Sequence, residues 1–288
     1  MQTTANFCYV CLALVLASSA AVVPLQAREP EMVALPGGST QIGSDQGLAD
    51  ERPVHQVEVA AFRLDRTPVT VAAFEDFVAA TGFVTDAERF GSAAVLDERR
   101  GDWHLEPGAT WRMPLGGDGG PAPADHPVTQ VSWHDADAHC RWRGARLPTE
   151  LEWEHAARAG HAAEPVYAMG DAVLREGEFL ANFWQGRFPH HNTVADGFRF
   201  TSPAGLLGRS PTGLADMAGN VWEWTDSWYA PYDPALAVGF TPTERVQRGG
   251  SFLCSPEGCH GFRVSARGHA APDSSLMHVG FRCAAEAG

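Results

Sequence analysis

The chain contains no lysine: all 21 basic residues are arginine, set against 35 aspartates and glutamates, for a formal net charge of −14. So acidic a chain lacks the basic footprint that nucleic acid or an anionic membrane requires, and neither is its expected main partner. A cationic peptide suits the charge, and solubility explains it equally well. Long regular helices are lacking too, because 30 glycines and 20 prolines in 288 residues punctuate the sequence throughout. Nine tryptophans are there to pin the resulting loops. Long apolar runs are confined to the N-terminus, Phe7-Cys8-Tyr9-Val10-Cys11-Leu12-Ala13-Leu14-Val15-Leu16-Ala17. That run is short for a membrane span and resembles a secretory signal, with Leu25-Gln26-Ala27 as its small-residue cleavage region. It departs from the pattern in having no arginine or lysine ahead of the apolar stretch. The expectation is an exported protein (periplasmic, secreted or in the secretory-pathway lumen), with residues 1–27 a signal and 28–288 a single domain.

Removal of the signal takes Cys8 and Cys11 with it and leaves Cys140, Cys254, Cys259 and Cys283. An even count in an exported chain permits one or two disulfides. Two of the four share one loop, Arg248-Gly249-Gly250-Ser251-Phe252-Leu253-Cys254-Ser255-Pro256-Glu257-Gly258-Cys259. Two thiols on a loop of Gly, Pro and Ser can close a small disulfide, hold a soft metal or act as a redox pair.

Regular elements are short. Met32 to Ser39 is a strand broken by a glycine turn, and Val54 to Val59 alternates with period two. Val71, Phe74, Phe77 and Val78 recur at helical spacing behind Thr70 as N-cap and ahead of Gly82. Ser132 caps a second helix over Trp133 to Arg143, and Thr149 with Glu152 forms a capping box for a third, Glu150 to Ala159. Asp125 to Ser132, Arg263 to Arg267 and Val279 to Cys283 read as strands. Residues 86–125 show no clear pattern, and the Gly/Pro-rich part from Leu115 to Ala124 reads as an exposed loop. Residues 182–228 have little periodicity but many aromatic and oxygen-bearing side chains. With no repeat and no linker, the fold class is α+β in one mixed domain.

Several ordered blocks resemble the formylglycine-generating enzymes, the sulfatase-modifying factor family. They are Met32-Val33-Ala34-Leu35-Pro36-Gly37-Gly38, His126-Pro127-Val128 with Val131-Ser132-Trp133, and Arg146-Leu147-Pro148-Thr149-Glu150 with Glu152-Trp153-Glu154. Gly219-Asn220-Val221-Trp222-Glu223-Trp224, Arg248-Gly249-Gly250-Ser251-Phe252 and Gly280-Phe281-Arg282-Cys283 complete the set. The resemblance implies a C-type-lectin-like variant with little regular secondary structure. It also implies oxidation of a cysteine in an unfolded sulfatase-type polypeptide (Cys-x-Pro-x-Arg) to Cα-formylglycine, with dioxygen as co-substrate. Cys254 and Cys259 match the family's copper(I) thiolate pair and Ser251 a pocket serine, while soft thiolates suit Cu(I) chemically.

By the same resemblance Cys140 and Cys283 form the structural disulfide. A second bridge found in some relatives is absent, since Ala157 and Val264 stand at its positions. Two structural calcium sites are implied: Asn182 and Asp196 with the carbonyls of Phe183 and Phe198, and Asp216 and Glu223 with the carbonyls of Gly219 and Val221. His278 and Arg263 are expected at the substrate groove. The chain departs from the family at Gly258, His260 and Gly261, beside the cysteine pair. A secreted lectin-like or peptide-binding member with Cys254 and Cys259 oxidised is the alternative. An iron- and histidine-dependent oxygenase is disfavoured for want of the histidine spacing.

Overall fold

The computed structural model describes residues 29–117 and 119–288; the expected signal, with Cys8 and Cys11, lies outside the described residues. The chain opens with strands β1 (Met32–Leu35), β2 (Gly38–Ile42), β3 (His55–Val59) and β4 (Phe62–Asp65), with one 3₁₀ turn at Ala49–Glu51 between β2 and β3. Helices α1 (Val71–Thr81) and α2 (Asp86–Phe90) follow, then the hairpin β5 (Ser92–Asp97) and β6 (Asp102–Pro107), then α3 (Trp133–Trp142) and α4 (Glu150–Arg158). Two small ladders come next: β7 (Leu174–Arg175) with β8 (Glu178–Phe179), and β9 (Gly186–Arg187) with β10 (His191–Asn192). The C-terminal third supplies β11 (Trp222–Trp228), the short helix α5 (Pro234–Ala237), β12 (Arg245–Arg248), β13 (Arg267–Ala270), β14 (Val279–Phe281) and β15 (Ala284–Glu286).

The helices start where their caps dictate. Thr70 accepts the Ala73 amide at 3.2 Å, and Gly82 closes α1 in the left-handed region. Ser132 and Asp135 exchange hydrogen bonds at the head of α3, and Thr149 and Glu152 do so for α4. The central sheet runs β13-β12-β11-β14, antiparallel except for the parallel β11–β14 pair, and a three-stranded sheet runs β1-β4-β15. Between α1, α3 and the central sheet lies the largest core, built on Phe74, Phe77, Trp111, Trp133, Trp224 and Phe281. A smaller cluster of Ala93, Val95, Leu96, Trp184, Phe252 and Met277 lies beneath the cysteine loop.

Three sequence expectations are corrected. Asp125 to Ser132 is not a strand: it makes single bonds to several neighbours, such as Val128 N to Val69 O and Gln130 N to Leu276 O, with only a bridge at Pro127. Residues 263–266 turn, and the strand begins at Arg267. Residues 86–125 hold α2 and the β5–β6 hairpin ahead of the loop.

Buried ion pairs fasten the loops. The fully buried Arg248 reaches Glu150 at 2.9 Å and Glu154 at 2.5 Å on α4, and Arg267 forks onto Glu150 at 2.7 and 2.9 Å. Arg282 forks onto Glu223 at 2.6 and 2.7 Å, and the same carboxylate accepts the Trp153 indole N–H at 2.6 Å. These contacts tie the Arg-Leu-Pro-Thr-Glu, Trp-Glu-Trp, Arg-Gly-Gly and Gly-Phe-Arg-Cys blocks into one buried network.

Candidate active site

β12 delivers the chain into the cysteine loop at Arg248. Gly250, at φ +70°, lets the returning strand of the loop pass close: a Cβ there would stand 2.5 Å from the Phe262 amide nitrogen. The loop is then fixed bond by bond. Phe252 N donates to Asn220 O at 3.0 Å, Trp184 N to Cys254 O at 2.8 Å, and Leu253 N to Ser251 Oγ at 3.2 Å. Ser255 O accepts from both Gly258 and His260, at 3.1 Å each, which closes a tight turn between the two cysteines.

That turn brings Cys254 and Cys259 to a Cα separation of 5.5 Å, and the structure joins them as a pair. Cys254 is buried and Cys259 exposed. Both line a cavity of about 200 Å³, walled by Trp103, Phe188, Trp222, Ser251, Leu253, Ser255, Gly258 and His278. The arrangement offers one shielded sulfur, one sulfur at the rim and aromatic side chains on the walls.

His278 lines the same cavity, with its ring 5.0 Å from that of Trp103 and its Nδ1 buried without a partner among the described residues. Burial pushes its pKa down to about 3, so the imidazole is neutral at physiological pH. The Arg263 expectation is corrected. Its guanidinium is clamped by Glu51 at 2.5 and 2.7 Å and lines a separate cavity with Gln41, Asp45 and Ser265.

His260 takes a left-handed backbone (φ 43°) and its Nε2 meets the Tyr167 hydroxyl at 2.8 Å, with Tyr167 stacked on Phe262. Burial, and then Arg263, lowers the His260 pKa. An aromatic hydroxyl thus stands beside the turn, supplied by a distant segment. His269 packs on Tyr229 and pairs with Glu244, and it does not line the cavity. Sequence reasoning missed Trp103, Tyr167, Phe188 and Trp222 as elements of this site. Only Trp222 carried a signal, as part of the Gly-Asn-Val-Trp-Glu-Trp block.

The first expected calcium set is compact. Asn182 Oδ1 is buried without a partner, and the Gln185 amide nitrogen bonds both Phe183 O and, at 2.7 Å, Asp196 Oδ2. A neutral donor therefore sits between two of the oxygens expected to hold the cation, and burial raises the Asp196 pKa. The second set shows no such gap: both Glu223 oxygens serve Arg282, and Asp216 Oδ2 accepts the Gly205 amide at 2.6 Å.

Cys140 on α3 and Cys283 after β14 form a disulfide with Cα atoms 5.6 Å apart. Among the described residues His139, Cys140 and Cys283 also form a buried cluster with ligand atoms within 4.8 Å of one another. Its two sulfurs are bonded to each other, so neither has a thiolate for a metal while that bond stands.

A family model for the sulfatase-modifying factor enzyme 1-like domain matches residues 18–287. The chain belongs to the sulfatase-modifying factor family. It is 43% identical to the formylglycine-generating enzyme of Mycobacterium tuberculosis over 294 residues, covering 89% of this chain and 98% of that one. It is also 39% identical to the inactive Cα-formylglycine-generating enzyme 2 of Mus musculus, covering 91% and 88%. Among solved structures, PvdO from Pseudomonas aeruginosa superposes with a TM-score of 0.68 at 27% identity, covering 90% of this chain and 95% of that one. The family's mixed α+β fold, poor in regular secondary structure, is the fold found.

Proposed function

We propose that the protein is a formylglycine-generating oxidase that acts on a cysteine of an unfolded sulfatase-type polypeptide. The carrying observation is the pairing of shielded Cys254 with exposed Cys259 in one aromatic-walled cavity. Homology to formylglycine-generating enzymes along nearly the whole chain supports the same reaction.

In the reduced protein, two soft thiolates with the unpartnered His278 nitrogen in the same cavity fit Cu(I) and not a hard cation. Bound there, copper would supply the activation of dioxygen that side chains lack. The chain's own residues do the rest. Cys259 at the rim meets the incoming cysteine, Trp103 and Phe188 enclose it, and Ser251 keeps a hydroxyl proton to donate into the pocket. Neutral His278 offers a hydrogen bond without adding charge. Two electrons and two hydrogens leave the substrate's Cβ–S unit for dioxygen, and water hydrolyses the resulting thioaldehyde to aldehyde and hydrogen sulfide.

Calcium is proposed at Asn182, Phe183, Asp196 and Phe198, where it would order the loop leading to Trp184. The single domain is proposed to run from residue 28, with export directed by residues 1–27. Reduced, copper-loaded protein is incubated with a Cys-x-Pro-x-Arg peptide and the product weighed. The expected mass change is that of CH₂SH becoming CHO, absent in Cys254→Ala. A wild-type protein that leaves the peptide unchanged overturns the proposal. The pairing of Cys254 with Cys259 in the structure favours one second reading, a binding module whose pair stays oxidised. A thiol count on unreduced protein separates the two.

A further inference from the structure

The two cysteines of the thiol cavity are held in place by different means. Cys254 is buried, its amide donates to Ser251 O at 2.9 Å, and its carbonyl accepts the Trp184 amide at 2.8 Å. Cys259 ends a run of four exposed residues, Pro256 to Cys259, and its own amide and carbonyl make no backbone hydrogen bond among the described residues. What places its sulfur is the next residue, His260, where the chain turns back into the core ahead of the buried Gly261 and Phe262.

His260 is fastened on three sides. Its amide donates across the turn to Ser255 O at 3.1 Å, its Nε2 lies 2.8 Å from the Tyr167 hydroxyl, and its ring stands edge-on to Phe262 with centroids 5.1 Å apart. Its backbone sits at φ 43°, a left-handed conformation that a residue with a Cβ adopts only where its surroundings hold it. Tyr167 is anchored to the segment it braces. Its ring stacks on Phe262 at 5.7 Å between centroids, and the adjoining Val166 O accepts the Val264 amide at 3.0 Å. Paired hydrogen bonds with Gly170, at 2.8 and 2.9 Å, close the Tyr167 turn from the other side, and Phe183 backs Phe262 at 5.0 Å. The hydroxyl therefore meets His260 from a platform with little freedom of its own.

We propose that Tyr167 and His260 are positioning residues: the hydrogen bond between them holds Cys259 within reach of both Cys254 and the incoming peptide cysteine. The inference rests on the reading of the thiol cavity as a peptide-cysteine site. Neither side chain lines that cavity, so each acts through the backbone of the turn. In the reduced protein without the hydroxyl, the exposed run from Pro256 to Cys259 loses its side-chain tie to the 166–170 segment. The rim sulfur then samples positions away from Cys254, and bringing it back costs conformational entropy.

The test uses two variants. Tyr167→Phe removes the hydroxyl and keeps the stacked ring, whereas His260→Asn removes the imidazole, suits the left-handed backbone and stops short of Tyr167. Each protein is equilibrated in glutathione buffers, where closure of the pair passes two electrons and two protons from its thiols to oxidised glutathione, giving two reduced glutathiones. Differential alkylation with peptide mapping reads Cys254 and Cys259 apart from Cys140 and Cys283. Tyr167→Phe is expected to lower the closure constant about fivefold, the scale of one hydrogen bond, and to change nothing further in the His260→Asn background. On copper-loaded protein its kcat for a Cys-x-Pro-x-Arg peptide should fall by a similar factor, with KM within about twofold of wild type. A wild-type closure constant or kcat in Tyr167→Phe, or an equal loss in both backgrounds, overturns the proposal. Should Tyr167→Phe fail to fold, His260→Asn alone decides, and a wild-type closure constant there overturns it. A wild-type protein that converts no peptide removes the oxidase reading, while the closure constants still decide the role of Tyr167.

Discussion

Gly261 is the residue whose substitution tests the site geometry most sharply. A Cβ built there would stand 2.7 Å from Trp222 Cη2 and 3.0 Å from Cys254 Sγ, and closer still to Trp222 Cζ2. Trp222 cannot retreat easily. The ring is 8% exposed, belongs to the largest core cluster and is backed on another side by Gly268, whose own Cβ position is 3.2 Å from Trp222 Cζ3. The added methyl in Gly261→Ala must therefore displace the indole or push the Cys254 sulfur. Overpacking of this kind costs about 1–3 kcal/mol, a fall in Tm of about 2–12 °C for a chain of this size. A sulfur shifted by about 1 Å costs on the order of 100-fold in conversion. Gly258→Ala is the stability control: its nearest neighbour is the Ser255 hydroxyl at 2.7 Å, which can rotate away, so Tm should hold within about a degree. Calorimetry, maleimide reactivity of the reduced Cys254 and peptide conversion are measured together. Trp222→Leu in the Gly261→Ala background should recover part of the loss, with a coupling of about 0.5–3 kcal/mol. Wild-type Tm and conversion in Gly261→Ala would refute the wedge argument outright.

Three further outcomes follow from the packing. Replacing Cys140 and Cys283 by serine opens a loop of 143 residues, which chain entropy values at about 5 kcal/mol; urea unfolding of the oxidised protein should show a loss of that order. Arg248→Met leaves Glu150 and Glu154 short of a buried partner and should cost about 3–5 kcal/mol, hardly relieved by salt. Asp135, pushed by burial from 3.8 up to about 6, holds its proton more tightly folded than unfolded. Its contribution is fully present below about pH 4 and lost as pH rises through 6, about 3 kcal/mol in all, so Asp135→Asn should flatten that part of the urea midpoint–pH curve.

What the sequence revealed was mostly local. Thr70, Ser132 and Thr149 mark helix starts because a cap hydroxyl and the residue three positions on make a bond confined to one turn. Asp125 to Ser132 misled because an apolar segment that threads the core, buried without a break from Pro127 to Ser132, resembles a buried strand in sequence. Here the bonds go singly to Val69 and Leu276, and Gln130 at φ 57° breaks the run. The β5–β6 hairpin escaped notice for the opposite reason. Asp102 to Pro107 are exposed or half-buried on both faces, so no burial contrast was available to show alternation. Yet that strand carries Trp103 to the mouth of the thiol cavity.

The site divides along the same line. The sequence names its reactive side, Cys254, Cys259 and Ser251, because these share one loop. Its walls come from residues 103, 188 and 222, which lie on separate segments of the chain, and Tyr167 stands behind the turn on His260. Gly261 joins the two levels. Read alone it is a lost side chain beside the cysteine pair, but against Trp222 it is the one residue small enough to let an indole from β11 close the cavity floor. The departure from the family at this position therefore acts through its neighbour: without a side chain on the loop at Gly261, the indole of the shared Gly-Asn-Val-Trp-Glu-Trp block closes against the backbone.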